Sequence, residues 1–164
     1  MDTIILKEVT EEDLAFVKQI YDWYILNTTA TFHTAPVTIG ELKEFMYVQH
    51  PRFRSFLIMA SDQAVGYCYL TNYKKRQAYD KTAELTIYLA HDCYTKGIGT
   101  AALQQLEAVA TAAGFKNLLA IISGDNDRSI RFFENNGYFK CAHFKNVGEK
   151  FGKVLDVVGY QKEI

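Results

Sequence analysis

The chain has 164 residues, 49% apolar and 14% aromatic, which is enough for a hydrophobic core and too much for a disordered segment. Its 18 basic and 19 acidic side chains leave a net charge of −1, which argues against nucleic acid or an anionic membrane as the partner and for a small molecule. The longest apolar runs are of strand length, well short of the ~18 residues of a spanning helix, and the acidic start "MDTIILKEVTEEDL" lacks a signal-peptide layout, so a soluble, cytoplasmic protein is expected.

Residues 3–9 alternate as a strand does, and Thr10 with Asp13 then forms a capping-box-like start for a helix over 11–27. After the Thr-rich stretch "NTTATFHTAPVT", Thr38 with Glu41 repeats the signature before a second helix over 39–49. Three strand-like runs follow with no helix between them, at 53–60, 64–70 and 82–90, and predict an antiparallel meander. From Gly97, the residues Ile98, Ala102, Leu106, Val109 and Ala113 recur at helical spacing, with Gly114 placed for a left-handed C-cap. "NLLAIIS" reads as the next strand, Asn126 or Asp127 caps a helix through "RSIRFFENN" closed by Gly137, and two strands end the chain at 138–147 and 153–162. The pattern β-α-α-β-β-β-α-β-α-β-β, free of repeats and linkers, predicts one α/β (α+β) domain over residues 1–164.

Cys68, Cys93 and Cys141 are odd in number and far apart, so buried or half-buried thiols are expected rather than disulfides or thiolate ligands. His33, His50, His91 and His143 show no ligand-like spacing, and no metal is expected.

The stretch "CYTKGIGTAA" at 93–102 places a glycine loop between a strand and a helix, where freed N–H groups suit an anion. A P-loop fails, because no Lys and hydroxyl pair follows the second glycine. Gly97, Gly99 and Ala102 satisfy G-x-G-x-x-A, but a dinucleotide fold needs that pattern in its first βα turn and an acidic residue ~20 positions later, where this chain has "LLAII". A plain glycine-assisted helix start and the pyrophosphate of coenzyme A remain.

The second of these is where the chain resembles the GNAT acyltransferase superfamily. "YTKGIGTAA" matches the acceptor motif [QR]-x-x-G-x-[GA] at both glycines, with Tyr94 in place of Gln or Arg, and "NDRSIRFFENNGY" supplies the N-x-x-[AS] element and its closing G-[FY] pair. More narrowly, "KKRQAYDKTAELTIYL", "VGEKFGKVLDVVGYQ" and "IYDWYILNTTATF" are similar to signatures of phosphinothricin N-acetyltransferases and their amino-acid-acetylating relatives, so the resemblance spans nearly the whole chain. It implies a GNAT fold, a mixed central sheet of about seven strands flanked by four helices.

The resemblance also implies roles. Acetyl-CoA would be held by Thr95, Lys96, Gly97, Ile98, Gly99 and Thr100 at the phosphates, by the backbone of Ile87, Tyr88 and Leu89, and by Asn126 and Ser129. Asn126 equally has a sufficient task as a helix cap. Glu84 would be the catalytic base that takes the amine proton; strand alternation also allows a Glu on the solvent face beside Thr82, Thr86 and Tyr88. Phe32, Arg76, Tyr79, Glu84, Lys150 and Phe151 would bind the acceptor, Arg76 gripping a carboxylate with its guanidinium fork. Phe133 stands where many superfamily members carry a proton-donating Tyr, and Phe cannot donate a proton.

The expected activity is direct transfer of acetyl from acetyl-CoA to the amine of a small amino-acid-like molecule of the phosphinothricin or methionine sulfoximine/sulfone type, by a homodimer that engages neither nucleic acid nor membrane. The alternatives are a protein N-terminal or polyamine acetyltransferase, and a catalytically weak acyl-CoA-binding module.

Overall fold

The computed structural model describes residues 2–93 and 97–164. Strand β1 (Ile4–Glu8) leads through a 3-10 turn (Glu11–Asp13) into α1 (Leu14–Asn27) and then α2 (Ile39–Phe45). The meander is β2 (Ser55–Ala60), β3 (Gln63–Asn72) and β4 (Thr82–Leu89), followed by α3 (Ile98–Ala112), β5 (Asn117–Ser123), α4 (Asp127–Asn135), β6 (Phe139–Lys150) and β7 (Lys153–Glu163). These are the seven strands and four helices the sequence predicts, joined in one sheet of order β1-β2-β3-β4-β5-β7-β6.

All neighbouring strands are antiparallel except β4 and β5, for which α3 makes the crossover that a parallel pair requires. Their pairing covers only Thr82↔Asn117, Ala83↔Leu118 and Glu84↔Leu119. Beyond Glu84 the two strands separate, while β4 stays paired with β3 as far as Leu89 and β5 stays paired with β7 as far as Ser123. A sheet that parts in its middle leaves a slot with strand edges on both sides.

Alternation along the strands feeds two cores, one per face. Ala83 and Leu85 of β4 pack with Leu103 and Leu106 of α3, Phe133 of α4 and Phe115. On the other face, Val17, Ile20 and Ile25 of α1 and Leu42 of α2 close over Leu57, Tyr67 and Tyr69, with Tyr88 of β4 against them. The outer edge of β1 is covered by Gln105 of α3, whose amide accepts from Leu6 N–H at 3.2 Å and donates to Ile4 O at 2.8 Å, as a neighbouring strand would.

Three expectations change in detail. The first helix opens with a 3-10 turn, so its α part starts at Leu14 rather than at residue 11. The second helix ends at Phe45 instead of running to residue 49, because Met46 turns extended and is buried, and Tyr47, His50 and Phe53 form an aromatic cluster with centroids 5.1–5.5 Å apart. Of the three cysteines Cys68 is buried and Cys93 half-buried, but Cys141 is exposed on β6.

Candidate active site

The slot between β4 and β5 opens into a cleft of about 690 Å³. Its walls are Leu85–Leu89 of β4, Ala120–Ile122 of β5, Gly97, Gly99 and Thr100 at the start of α3, and Asn126, Ser129, Phe132 and Phe133 of the α4 region. Tyr24 of α1 and Thr28, Thr29 and Ala30 just after it close the remaining side.

The chemistry of the β4 edge follows from strand geometry. Ala90 N–H donates to Val65 O on the β3 side, so by alternation the backbone groups of Leu89, Ile87 and Leu85 point the other way, into the slot. Ile87 and Leu89 therefore present main-chain groups where the sequence places them. Tyr88 does not: its backbone faces β3, and its side chain enters the cluster of Tyr21, Tyr24 and Tyr67, with centroids 4.8–5.8 Å away. Burial pushes the Tyr88 hydroxyl pKa well up, and neighbouring tyrosines add to the effect.

At the mouth of the cleft Gly97 has φ +95°, a conformation L side chains resist, and among the described residues nothing lies within 4 Å of the place its side chain would fill. It stands as N-cap of α3, whose first N–H groups lack helical partners and face that space. Gly99 is needed for a different reason, because a Cβ there would lie 3.1 Å from the Phe132 ring. Ile98 is buried in the core beneath and contributes backbone alone. Thr95 and Lys96, and Tyr94, lie outside the described residues. Across the cleft, Asn126 caps α4 by accepting Ser129 N–H at 3.2 Å, as its sequence position suggests; the cap uses its oxygen and leaves the amide nitrogen to meet a ligand.

Glu84 sits where the strands part, with its side chain on the α1/α2 face. It lines a second, smaller hollow of about 290 Å³ together with Glu44, Phe45, Tyr47, Thr71, Asn72, Tyr73, Lys74 and Lys75. Burial raises its carboxyl pKa above the usual range. The carboxylate is thus neither a solvent-face residue nor a sealed core group, and holds its proton more tightly than a free Glu.

The other nominated acceptor residues divide into two groups. Arg76 caps the short 3-10 turn Gln77–Tyr79 and is exposed; neither it nor Tyr79 is in the wall of the Glu84 hollow. The cations that the loop brings to Glu84 are Lys74 and Lys75, and Lys74 Nζ rests 5.5 Å from the Tyr73 ring centroid and 5.9 Å from that of Tyr79. Phe32, Lys150 and Phe151 form a separate group at the β6–β7 hairpin. The Phe32 ring lies so close to Gly148 that a Cβ there would be 2.6 Å from it. Lys150 is 3% exposed, donates to Thr31 O at 2.8 Å, and has its pKa lowered by burial; Phe151 is 64% exposed.

The sequence profile described as "Acetyltransferase (GNAT) domain" matches residues 6–158. The chain belongs to the GNAT acetyltransferase family. It is 30% identical over 158 residues to a phosphinothricin N-acetyltransferase of Streptomyces viridochromogenes, covering 96% of this chain and 86% of that protein. It is 28% identical to an L-methionine sulfoximine/L-methionine sulfone acetyltransferase of Pseudomonas paraeruginosa, covering 95% and 92%. Among solved structures, a GNAT superfamily phosphinothricin acetyltransferase from Sinorhizobium meliloti in complex with AcCoA superimposes with a TM-score of 0.89 at 28% identity, covering 99% of this chain and 89% of that one.

This GNAT chain is accordingly an acetyl-CoA-dependent N-acetyltransferase. The cleft fits that donor: an open nest of helix-start amides at one end suits a pyrophosphate, and an unpaired strand edge along the slot suits an extended amide-bearing arm. Phe133, where the resemblance would place a proton donor, is 6% exposed and packs edge-on to Phe132 and Tyr138, so this position supplies shape and no proton. Sequence reasoning missed Tyr24, whose hydroxyl donates to Leu89 O at 2.6 Å inside the cleft, and Asp125 and Arg128 on its wall. Arg128 had a visible signal, as a cation in the first turn of a helix that borders the same cleft.

Proposed function

We propose that this enzyme transfers acetyl from acetyl-CoA to the amine of a small amino acid or amino-acid analogue. The parting of β4 from β5 at Glu84 carries the reading. It leaves the cleft and the Glu84 hollow lined by neighbouring stretches of one strand, which supports a donor and an acceptor that meet at that strand. When bound, acetyl-CoA supplies an activated thioester carbonyl. Glu84 takes a proton from the incoming ammonium, directly or through water, and its raised pKa brings it closer to that task. Backbone N–H groups of Ile87 and Leu89, aimed into the slot, hold the carbonyl and the pantetheine arm. Gly97, Ile98, Gly99 and Thr100, with Thr95 and Lys96, cradle the pyrophosphate, and Asn126 and Ser129 border the arm.

On the acceptor side, Lys74 and Lys75 supply positive charge beside Glu84, and Arg76 with Tyr79 forms the outer rim of the same loop. A carboxylate-bearing acceptor is favoured over a polyamine by this arrangement. The hollow of about 290 Å³ also suits a free amino acid better than a folded protein terminus. We further assign the functional form as a homodimer built on the apolar β6–β7 hairpin, where Phe139, Phe144, Val147, Phe151 and Val154 are exposed.

The test is release of free thiol from acetyl-CoA with phosphinothricin, methionine sulfone, methionine sulfoximine, spermidine and an N-terminally free peptide as acceptors. Turnover with the first three and background rates with the last two is the expected result. A protein that binds acetyl-CoA but turns over none of them is a binding module, and one that prefers spermidine or the peptide overturns the acceptor assignment.

A further inference from the structure

Residues 28–33, between α1 and α2, form a strap with no sheet or helix ladder of its own. It is held instead by side chains from separate parts of the chain. Tyr21 OH of α1 bonds Thr31 Oγ1 at 2.7 Å, and Tyr88 OH of β4 donates to Ala30 O at 3.4 Å. Across the cleft, Lys150 Nζ donates to Thr31 O at 2.8 Å and the Phe32 ring lies on Gly148. Thr28, Thr29 and Ala30 are themselves part of the cleft wall, so the strap roofs the donor site and touches the hairpin and the β4 side at once.

Asp125, in the turn between β5 and α4, ties these pieces together. Its carboxylate accepts from Thr29 Oγ1 at 2.9 Å, from the buried Ser123 Oγ at 2.7 Å and from Lys153 Nζ at 3.0 Å. Three segments distant in sequence thus converge on one anion: the strap, its own turn and the start of β7. Burial would raise the Asp125 pKa, but the bonds from Ser123, Lys153 and Thr29 outweigh it and hold the carboxyl below its usual value. The Ser123 bond holds Oδ1 at the end of β5, the Lys153 bond holds Oδ2, and Thr29 Oγ1 lies 2.9 Å from both oxygens.

We propose that Asp125 is a positioning residue, which fixes the strap 28–33 as the roof of the donor cleft and thereby holds the acetyl-bearing arm against β4. The proposal rests on the assignment of the cleft to acetyl-CoA. Asp125 and Thr29 both line this cleft, and Asp125 acts by holding Thr29 in place. Loosening the bond lets Thr28, Thr29 and Ala30 lift from the cleft. Acetyl-CoA keeps its helix-start contacts, but its arm loses a wall.

Three variants decide it: Asp125→Asn, Thr29→Val and the double substitution. Each single change should raise the acetyl-CoA dissociation constant from calorimetry by about tenfold, with the amine KM within about twofold of wild type, and the double variant should be no worse than Asp125→Asn, since coupled residues are non-additive. Thr29→Ser, which restores the donor, should recover most of the loss. Hydrogen exchange of the amides in 28–33 should quicken in Asp125→Asn and in Thr29→Val, a readout that needs no acceptor. Wild-type acetyl-CoA affinity in Thr29→Val, multiplicative losses in the double variant, a matching rise in the amine KM, or unchanged exchange in 28–33 would each overturn the proposal. If Asp125→Asn fails to fold, Thr29→Val and Thr29→Ser carry the same comparison. Failure of the functional reading is separate, because it shows in the wild type as absent acetyl-CoA binding or turnover.

Discussion

Glu84 is held in a state that suits a base and does not suit a stable fold. Burial raises its carboxyl pKa, so between the unfolded and folded values the native chain binds the extra proton, and stability falls as pH rises through that window. Glu84→Gln removes the charge and keeps the shape. It should reduce kcat/KM on the order of 10²–10⁴-fold at neutral pH with acetyl-CoA binding retained. The same variant should melt no lower than wild type, and higher at neutral pH than at pH 4 relative to it. In the wild type, kcat/KM should rise with pH through a limb above the ordinary carboxylate range and then level off. In the variant part of the loss should return at high pH, where the amine deprotonates unaided. A near-normal rate at neutral pH, or an unshifted limb, would remove Glu84 from the mechanism. The sequence made this residue visible, because a Glu inside an otherwise apolar strand run is chemically conspicuous. Lys74 and Lys75 lie in the basic run "YKKRQAY", which is visible in the sequence, whereas Asp125 gave no such sign, since it matters only through neighbours that the fold supplies. Asp125 and Thr29 are 96 positions apart.

The elements were legible wherever a local device ends them. Thr38 N–H donates to Glu41 Oε2 at 2.7 Å and Glu41 N–H donates to Thr38 Oγ1 at 3.1 Å, the reciprocal bonds that the T-x-x-E spacing predicts. Gly114 and Gly137 take positive φ where the helices stop, and β5 spans "NLLAIIS" as read from its pattern. The end of α2 was not legible, because the apolar periodicity runs on past Phe45 and tertiary contacts of Tyr47 and Met46 stop the helix. Nor could any local pattern show that β4 and β5 part after Glu84, the feature on which the site depends. Because α2 is only 7 residues long and places Glu44 and Phe45 at the Glu84 hollow, its cap should matter for both stability and activity. Thr38→Ala is expected to cost about 1 kcal/mol and, for a chain of this size, to lower Tm by roughly 2–4 °C. It should also raise the acceptor KM while leaving the acetyl-CoA dissociation constant unchanged. Thermal melting and steady-state kinetics on one preparation check both, and an unchanged melt would show that α2 is held by packing of Leu42 alone.

At the scale of the whole molecule, the sheet's two edges are treated differently. The β1 edge is covered by Gln105, whereas β6 is a 12-residue edge strand that pairs only with β7 among the described residues. A long edge strand offers unpaired backbone groups to any other strand, and proteins normally blunt such edges with charge, twist or a cover. The β6 strand carries register shifts between Lys140 and Ala142 and between Phe144 and Gly148, yet the hairpin still exposes Phe144 at 54%, Val147 at 60% and Val154 at 55%, the apolar surface on which the proposed contact rests. A second copy of the chain is the occupant we assign, and the assignment bears on the site, because Lys150 reaches the strap from this same hairpin. Light scattering behind a sizing column should give the dimer mass for the wild type at micromolar concentration. Phe144→Glu with Val147→Lys should give the monomer mass and lower kcat/KM, while circular dichroism stays unchanged because both side chains lie outside the cores. A monomeric wild type, or a double variant that remains dimeric with full activity, would place the interface elsewhere and leave the exposed hairpin face without a role in assembly.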